Sequence, residues 1–346
     1  MGPRHYQTMP PSSSLPIIHL HTIQTHTAPV NCLSFSNSGG TYIVSGSSDR
    51  QIHLSRTEPS STTSTSIPTT THKPIQRYTS HGYAVLDISV TADNTKFASG
   101  SGDRSGPFLW DINIHDSTIR RFGSNSPSPH TSRITCVQFT AEDNVLASGS
   151  DDRSVRLWDC KSRDSRPLMV LDDAKDGVSA LLCWDKEVIA GSTDGRVRSY
   201  DVRMGRCVVD VQPGPVTSLS VSRDGRTMLV GCLDGKLRLM DRESGNCLRT
   251  FPPEGKMGGE EGGYRNESFR LLSTLAVNDS TVLSGSEADG RVRGWDVLSG
   301  KQVASVEVSE TEKVVSVVKW REGSEVESRR GLWAAGGADG VIRIYG

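Results

Sequence analysis

At 346 residues the chain is longer than one hydrophobic core usually organises, so it needs either two domains or a repeat architecture. Only 34% of its residues are hydrophobic while 34 are Gly, which suits many short strands joined by tight turns and excludes a helical bundle. With 39 basic and 40 acidic residues the net charge is −1, so no overall field favours nucleic acid or an anionic membrane.

The first segment, MGPRHYQTMPPSSS (1–14), lacks the apolar stretch of a signal peptide. Tyr6 stands where a myristoylation motif needs Ser or Thr, and a disordered tail is expected. No apolar run approaches the length of a membrane-spanning helix. Next comes LPIIHLHTIQT (15–25), which has strand character. His19 and His21 lie two apart in it, but no third metal ligand is near, so exposed strand residues are expected.

From residue 26 a unit recurs whose anchor is an Asp in a tight turn after a small-residue strand. The seven anchors are Asp49, Asp103, Asp152, Asp194, Asp234, Asp289 and Asp339. Their spacings are 54, 49, 42, 40, 55 and 50 residues. Before each anchor lies a period-two run such as ITCVQF (134–139) or VTSLSV (216–221). After it comes a strand that ends at Asp159, Asp201, Asp241 or Asp296, seven residues on. In the second unit the strand ends at Asp111, eight residues on, and the extra residue near Gly106 and Pro107 predicts a bulge. Outer strands such as RCVVDVQ (206–212) and NCLRTFP (246–252) complete each unit.

Four-stranded units that cannot bury their faces alone must stack, and seven of them close a ring. These units resemble WD repeats over residues 15–346. The expected fold is all-β, a seven-bladed WD40 β-propeller. Its blades span roughly 26–80, 81–129, 130–173, 174–212, 213–252, 264–308 and 313–346. The last blade stops at VIRIYG without an outer strand, so residues 15–25 are predicted to supply it.

Three insertions interrupt the repeat. Residues 57–72 are rich in Ser, Thr and Pro and read as a disordered loop that phosphorylation could regulate. Residues 252–263 read as a flexible Gly/Glu loop, and 321–330 as a charged hairpin loop. The seven Cys are 32, 136, 160, 183, 207, 232 and 247. They form no C-x-x-C pair and read as small buried hydrophobes in a reducing compartment.

WD repeats often carry a tetrad of His, Ser, Asp and Trp. Blade three resembles the full set with His130, Ser148, Asp152 and Trp158, and blade two with His81, Ser99, Asp103 and Trp110. Blade one has His26 and Asp49, but Leu54 replaces the Trp. Ser, His and Asp together could suggest a hydrolase. Their spacing follows the repeat, so they are expected to be buried staples with no catalytic part. The Gly-rich segment at 255–263 lacks the Lys-Ser/Thr of a phosphate-binding loop. No cofactor, metal or small-molecule substrate is expected. The Arg residues of the two DGRVR copies (194–198 and 289–293, the latter beginning at Asp289) are expected to pack between blades.

Beyond the repeat, HGYAVLDISVTADN (81–94), LDDAKDGVSALL (171–182), EVIAGSTDGRVRSYDVRMG (187–205) and SRDGRTMLVGCLDGKLRLMDRESG (222–245) resemble one subfamily. It is the mitogen-activated protein kinase organizer family, also called WD repeat domain-containing protein 83. The resemblance runs from blade one to blade six and is strongest in blades two to five. Blade seven and the Ser/Thr and Gly/Glu loops depart from it. The resemblance implies a non-catalytic scaffold acting in pre-mRNA splicing. It also implies a cytoplasmic scaffold for a kinase cascade. Splicing factors or kinase-cascade members are then the expected partners, and nucleus and cytoplasm the expected locations.

Near-neutral charge argues for protein partners and against direct RNA contact. A monomeric ring within larger assemblies is expected. A substrate receptor of a ubiquitin ligase is a third reading. In WD propellers the residues flanking the first apolar position of each inner strand face the top rim and channel mouth. Here these are Asn31, Leu86, Arg133, Thr135, Ser179, Thr217, Arg270 and Ser316. Arg133 and Arg270 are the expected anchors, since Arg is favoured at interface hot spots.

Overall fold

The structure is a computed structural model. It describes residues 15–346 apart from 38, 59–68, 105, 115–117, 253–262, 310–313 and 324–330. The N-terminal tail, the middle of the Ser/Thr insertion, nearly all of the Gly/Glu insertion and most of the charged insertion lie outside the described residues.

Seven sheets account for the described strands; six are antiparallel and built in chain order from an inner to an outer strand, and the seventh draws on both ends of the chain. Blade three is typical, with Ile134–Phe139, Val145–Ser150, Val155–Asp159 and Met169–Leu171 side by side. Its second strand is made of small residues because the next blade packs directly on it. A Cβ on Gly149 would sit 2.5 Å from Cys136 Sγ and 2.7 Å from Val178 Cγ1 of blade four, both inside van der Waals contact. The hydrophobic core is accordingly divided among the seams. One cluster joins Cys32, Val44 and Ile52 of blade one to Val85, Phe97 and Trp110 of blade two.

The ring closes as the N-terminal segment implied. His19–Ile23 pairs antiparallel with Ile342–Tyr345 and so becomes the fourth strand of blade seven. Ile23 then packs with Val30, Leu33 and Ile43 of blade one and with Val317, Ala334, Ile342 and Ile344 of blade seven. Trp333 donates its indole N–H to the Pro16 carbonyl at 2.6 Å, and Gly346 N–H reaches the Ile18 carbonyl at 3.0 Å.

Several expectations are corrected here. Part of the Ser/Thr insertion is ordered: Thr69–Thr71 runs parallel to His19–Ile23 as a fifth strand on blade seven. The outer strand of blade one is Gln76–Tyr78. The pair His19 and His21 is split by a register shift between them. His21 is 1% exposed, and its Nε2 lies 3.0 Å from Thr71 Oγ1, so strand addition buries what was expected to be exposed. Around Pro107 the ladder from Lys96–Ser99 to Phe108–Asp111 runs without interruption. Among the described residues of these two strands no bulge forms; residue 105, in the connection between them, lies outside the described residues.

Bulges occur instead in the inner strands. Register shifts between Val30 and Cys32, Val85 and Asp87, Ile134 and Cys136, Val178 and Ala180, and Val216 and Ser218 leave one residue out of the ladder each time. Deleting residues 1–25 removes the closing strand and exposes the edge of Ile342–Tyr345. The expected outcome is loss of a single cooperative melt, or a melting temperature at least about 10 °C lower in calorimetry.

Candidate functional site

The tetrads have the geometry their spacing implied. His130 Nδ1 lies 2.9 Å from Asp152 Oδ2, His130 Nε2 lies 2.9 Å from Ser148 Oγ, and Trp158 donates to that hydroxyl at 2.8 Å. Blade two repeats this with His81 at 2.8 Å from Asp103 and 2.7 Å from Ser99, and Trp110 donating to Ser99 at 2.8 Å. In blade one His26 bridges Asp49 and Ser45 at 2.9 and 2.8 Å. The ionised carboxylate only accepts, so Nδ1 carries the proton and Nε2 accepts from the Ser hydroxyl. The hydroxyl oxygen is then free to accept from Trp. Both imidazole nitrogens are committed and the hydroxyl is buried, so the set cannot deprotonate a substrate-facing Ser.

The four blades without a tetrad His use an Arg instead. Arg198, Arg238, Arg293 and Arg343 fold back onto Asp194, Asp234, Asp289 and Asp339, the turn Asp of their own blades. Arg198 and Arg293 are buried as they do so. In blade three Arg156 stands at the same position and meets both Asp152 and His130. In blade one the position holds His53, stacked on His26 at 4.0 Å, and in blade two Phe108 stacks on His81 at 4.4 Å. The signal was present in the sequence as Asp-x-x-x-Arg in blades three to seven. It is legible only once the Asp turn and strand are known to bring those two side chains together.

Burial opposes ionisation of Asp49, but hydrogen bonds from His26, Gln51 N–H and Thr27 N–H outweigh it and hold the carboxyl down at about 2. Burial likewise opposes charge on Asp194, and Arg198, Ser192 and Lys175 N–H outweigh it, again to about 2. Burial pushes His53 down to about 3, helped by His26, and lowers His130 against the pull of Asp152. Both kinds of shift have the same sign for stability. A carboxyl depressed in the fold stabilises it above the ordinary value of 3.8 and loses that contribution as pH falls towards 2. A depressed His stabilises the fold above 6.5, and the contribution is lost as pH falls because the unfolded chain takes up the proton. Stability is therefore expected to fall steadily from pH 7 to pH 3 in urea titrations, with the two Asp accounting for about 1 kcal/mol each of that loss and for a similar amount below pH 3. Arg198→Met, which strands the buried Asp194 carboxylate, is expected to cost about 3 kcal/mol at pH 7 and markedly less at pH 3.

Of the eight residues expected at the rim, several tie one blade to the next. Asn31 donates to the Val85 carbonyl of blade two at 2.8 Å, and Ser316 to the Val30 carbonyl of blade one at 2.6 Å. Thr135 and Ser179 donate in the same way to Val178 and Val216. Thr217 is buried and accepts from Asn266 at 3.4 Å. Where blade two carries Leu86, the neighbouring Asp87 accepts from Val137 N–H of blade three at 3.0 Å. Of the two Arg, Arg133 is exposed at the rim and pairs with Asp151.

Arg270 points inward. From blade six its Nη1 donates to the Thr135 carbonyl of blade three at 2.8 Å and lies 3.4 Å from the Leu86 carbonyl of blade two. Its Nη2 is 4.0 Å from Asp87 Oδ2. The side chain thus crosses the channel and braces non-adjacent blades, which no sequence pattern indicated. Asp87 is raised by burial despite Arg270 and Lys319 beside it. Arg270→Met is expected to lower stability by about 1.5–3 kcal/mol, because it removes a charged donor from three partly buried acceptors. Arg133→Glu, at an exposed site, should change the melt little; thermal unfolding of both variants checks this.

The cysteines divide. Cys32, Cys136 and Cys232 are buried as expected, Cys160 and Cys183 are half-buried, and Cys207 and Cys247 are exposed on outer strands. The last two correct the expectation of seven buried thiols. Among the described residues no group of three His, Cys, Asp or Glu side chains is arranged to hold a metal ion.

Seven blades, six of four strands and one of five, with His–Ser–Asp–Trp networks in blades two and three, define a WD-repeat propeller, a fold that typically works as a non-catalytic interaction scaffold. The family profile described as WD domain, G-beta repeat matches residues 18–54, 72–105 and 124–159. That of the anaphase-promoting complex subunit 4 WD40 domain matches 210–257. The chain is 32% identical over 289 residues to a WD repeat-containing protein of Schizosaccharomyces pombe, covering 84% of this chain and 87% of the relative. It is 28% identical over 312 residues to the WD repeat domain-containing protein 83 homolog of Dictyostelium discoideum, covering 82% and 86%. To WD repeat domain-containing protein 83 of Rattus norvegicus it is 40% identical over 149 residues, 43% of this chain and 44% of the relative. The chain belongs to the WD-repeat family, and WD repeat domain-containing protein 83 is among its relatives.

Proposed function

We propose that the ring is a non-catalytic scaffold in pre-mRNA splicing, holding protein partners within a spliceosome-associated assembly in the nucleus, with a further pool in the cytoplasm. What carries this reading is similarity to WD repeat domain-containing protein 83 across nearly the full length of the Dictyostelium relative. The resembling segments in blades two to five support it, because they include residues outside the repeat pattern, such as Arg203-Met204-Gly205. The chemistry of the interior agrees. The His nitrogens of the tetrads are occupied, so the groups that could suggest hydrolysis serve the fold. A net charge of −1 favours protein partners over RNA.

The rim offers Arg133 together with Arg50 and Arg153, both exposed on turns between the second and third strands. Their φ is +70°, a conformation supplied by Gly195, Gly235, Gly290 and Gly340 in the later blades. Purification of a tagged chain followed by mass spectrometry tests the proposal. Splicing factors are expected among the recovered proteins, and Arg133→Glu should reduce their recovery several-fold without lowering the melting temperature. Recovery of kinase-cascade members alone would replace splicing with signalling. Recovery of ubiquitin-ligase adaptors alone would overturn both.

A further inference from the structure

We propose that two copies of this chain associate through the outer strand of blade four, Arg206–Val211, forming one continuous antiparallel sheet across a two-fold axis. Outer strands are sheet edges, and an uncovered edge pairs readily with another strand unless something blunts it. Six of the seven blades blunt theirs. Gln76–Tyr78 and Met169–Leu171 are only three residues long. Thr118–Arg121, Cys247–Phe251 and Gln302–Glu307 each carry a register shift. His19–Ile23 is covered by Thr69–Thr71. Among the described outer strands longer than three residues, Arg206–Val211 is the one that both pairs along its whole length without a shift and ends its sheet. It is also apolar where it meets solvent: Val208, Val209 and Val211 are 60%, 46% and 71% exposed.

The backbone fixes which pairings are allowed. Gln212 N–H bonds inward to the Gly195 carbonyl, so the backbone groups of Val208 and Asp210 also face the sheet and those of Cys207, Val209 and Val211 face outward. Facing residues of an antiparallel pair must share that direction. A two-fold pair of this strand is therefore centred on a residue and never between two. Centred on Val208, it gives Cys207 of each copy a hydrogen-bonded pairing with Val209 of the other. It also sets Arg206 opposite Asp210 twice. Within one copy these two charges are four residues apart on an extended strand, about 13 Å, and cannot meet. Arg206 is exposed. Burial raises the Asp210 carboxyl. The second copy supplies each with its counter-ion through an isologous contact. Blade seven shows the same chemistry inside one chain, where Thr69–Thr71 adds to the edge of His19–Ile23. A monomeric ring was the expectation from sequence; the proposal departs from it, and it does not depend on the splicing reading.

Size-exclusion chromatography with light scattering on the full chain provides the test. The mass should rise with concentration from 37.5 kDa towards twice that value. Arg206→Asp and Asp210→Arg set like charges opposite each other, and each should weaken dimerisation at least about tenfold. The combined Arg206→Asp, Asp210→Arg chain exchanges the charges and should restore it. Val209→Lys should also favour the monomer. Since all three sites are on the surface strand, unchanged melts of the variants confirm that folding is intact. A wild-type chain that stays monomeric at every concentration overturns the proposal. So does a dimer indifferent to both single reversals, or one that the exchange fails to restore.

Discussion

Antiparallel pairing of His19–Ile23 with Ile342–Tyr345 turns seven separate sheets into one molecule. Each blade has a hydrophobic face on both sides, so an open row would leave two faces bare. Closure buries the last pair by placing Ile23 among Val30, Ile43, Val317 and Ile342. It joins residues from opposite ends of the chain, a contact with a large loop-closure entropy that only many cooperative neighbours can offset. The fifth strand, Thr69–Thr71, lies directly over this seam and covers the edge it would otherwise expose.

Polar chemistry in the ring follows from the same demand for closure. Every blade needs a tight turn between its second and third strands, and an Asp carboxylate organises it. Asp152 accepts from Ser154 N–H at 3.0 Å and Asp194 from Arg196 N–H at 3.0 Å, so the carboxylate is drawn partly inside and needs a counter-group. Blades one to three meet that need with His and blades four to seven with Arg. Two side chains of different shape thus solve one electrostatic problem. The surface left free is the rim and the outer strands, where a scaffold meets its partners.

Repeat phase made the blade count, the closing strand and the tetrads of blades two and three readable before any coordinates. Those features rest on local chemistry, turn residues and period-two strands that recur in register. What was not readable depends on contacts between distant segments. Arg270 looked like a rim residue because its neighbours in the repeat are rim residues, but its side chain finds carbonyls of Leu86 and Thr135 across the channel. Thr69–Thr71 looked like loop because its composition is that of a loop; an available strand edge overrides propensity there. Cys207 and Cys247 looked buried by hydrophobic type, yet they lie on outer strands where the fold has no further layer.

Native-state hydrogen exchange tests the central claim most directly, since it reads each seam separately. If closure by the N-terminal strand makes the ring one cooperative unit, amides in His19–Ile23 and Ile342–Tyr345 should exchange only through global unfolding, with the same free energy and urea dependence as those in Val145–Ser150 of blade three. Exchange of the two closing strands at a much lower free energy, with the other blades still protected, would contradict it.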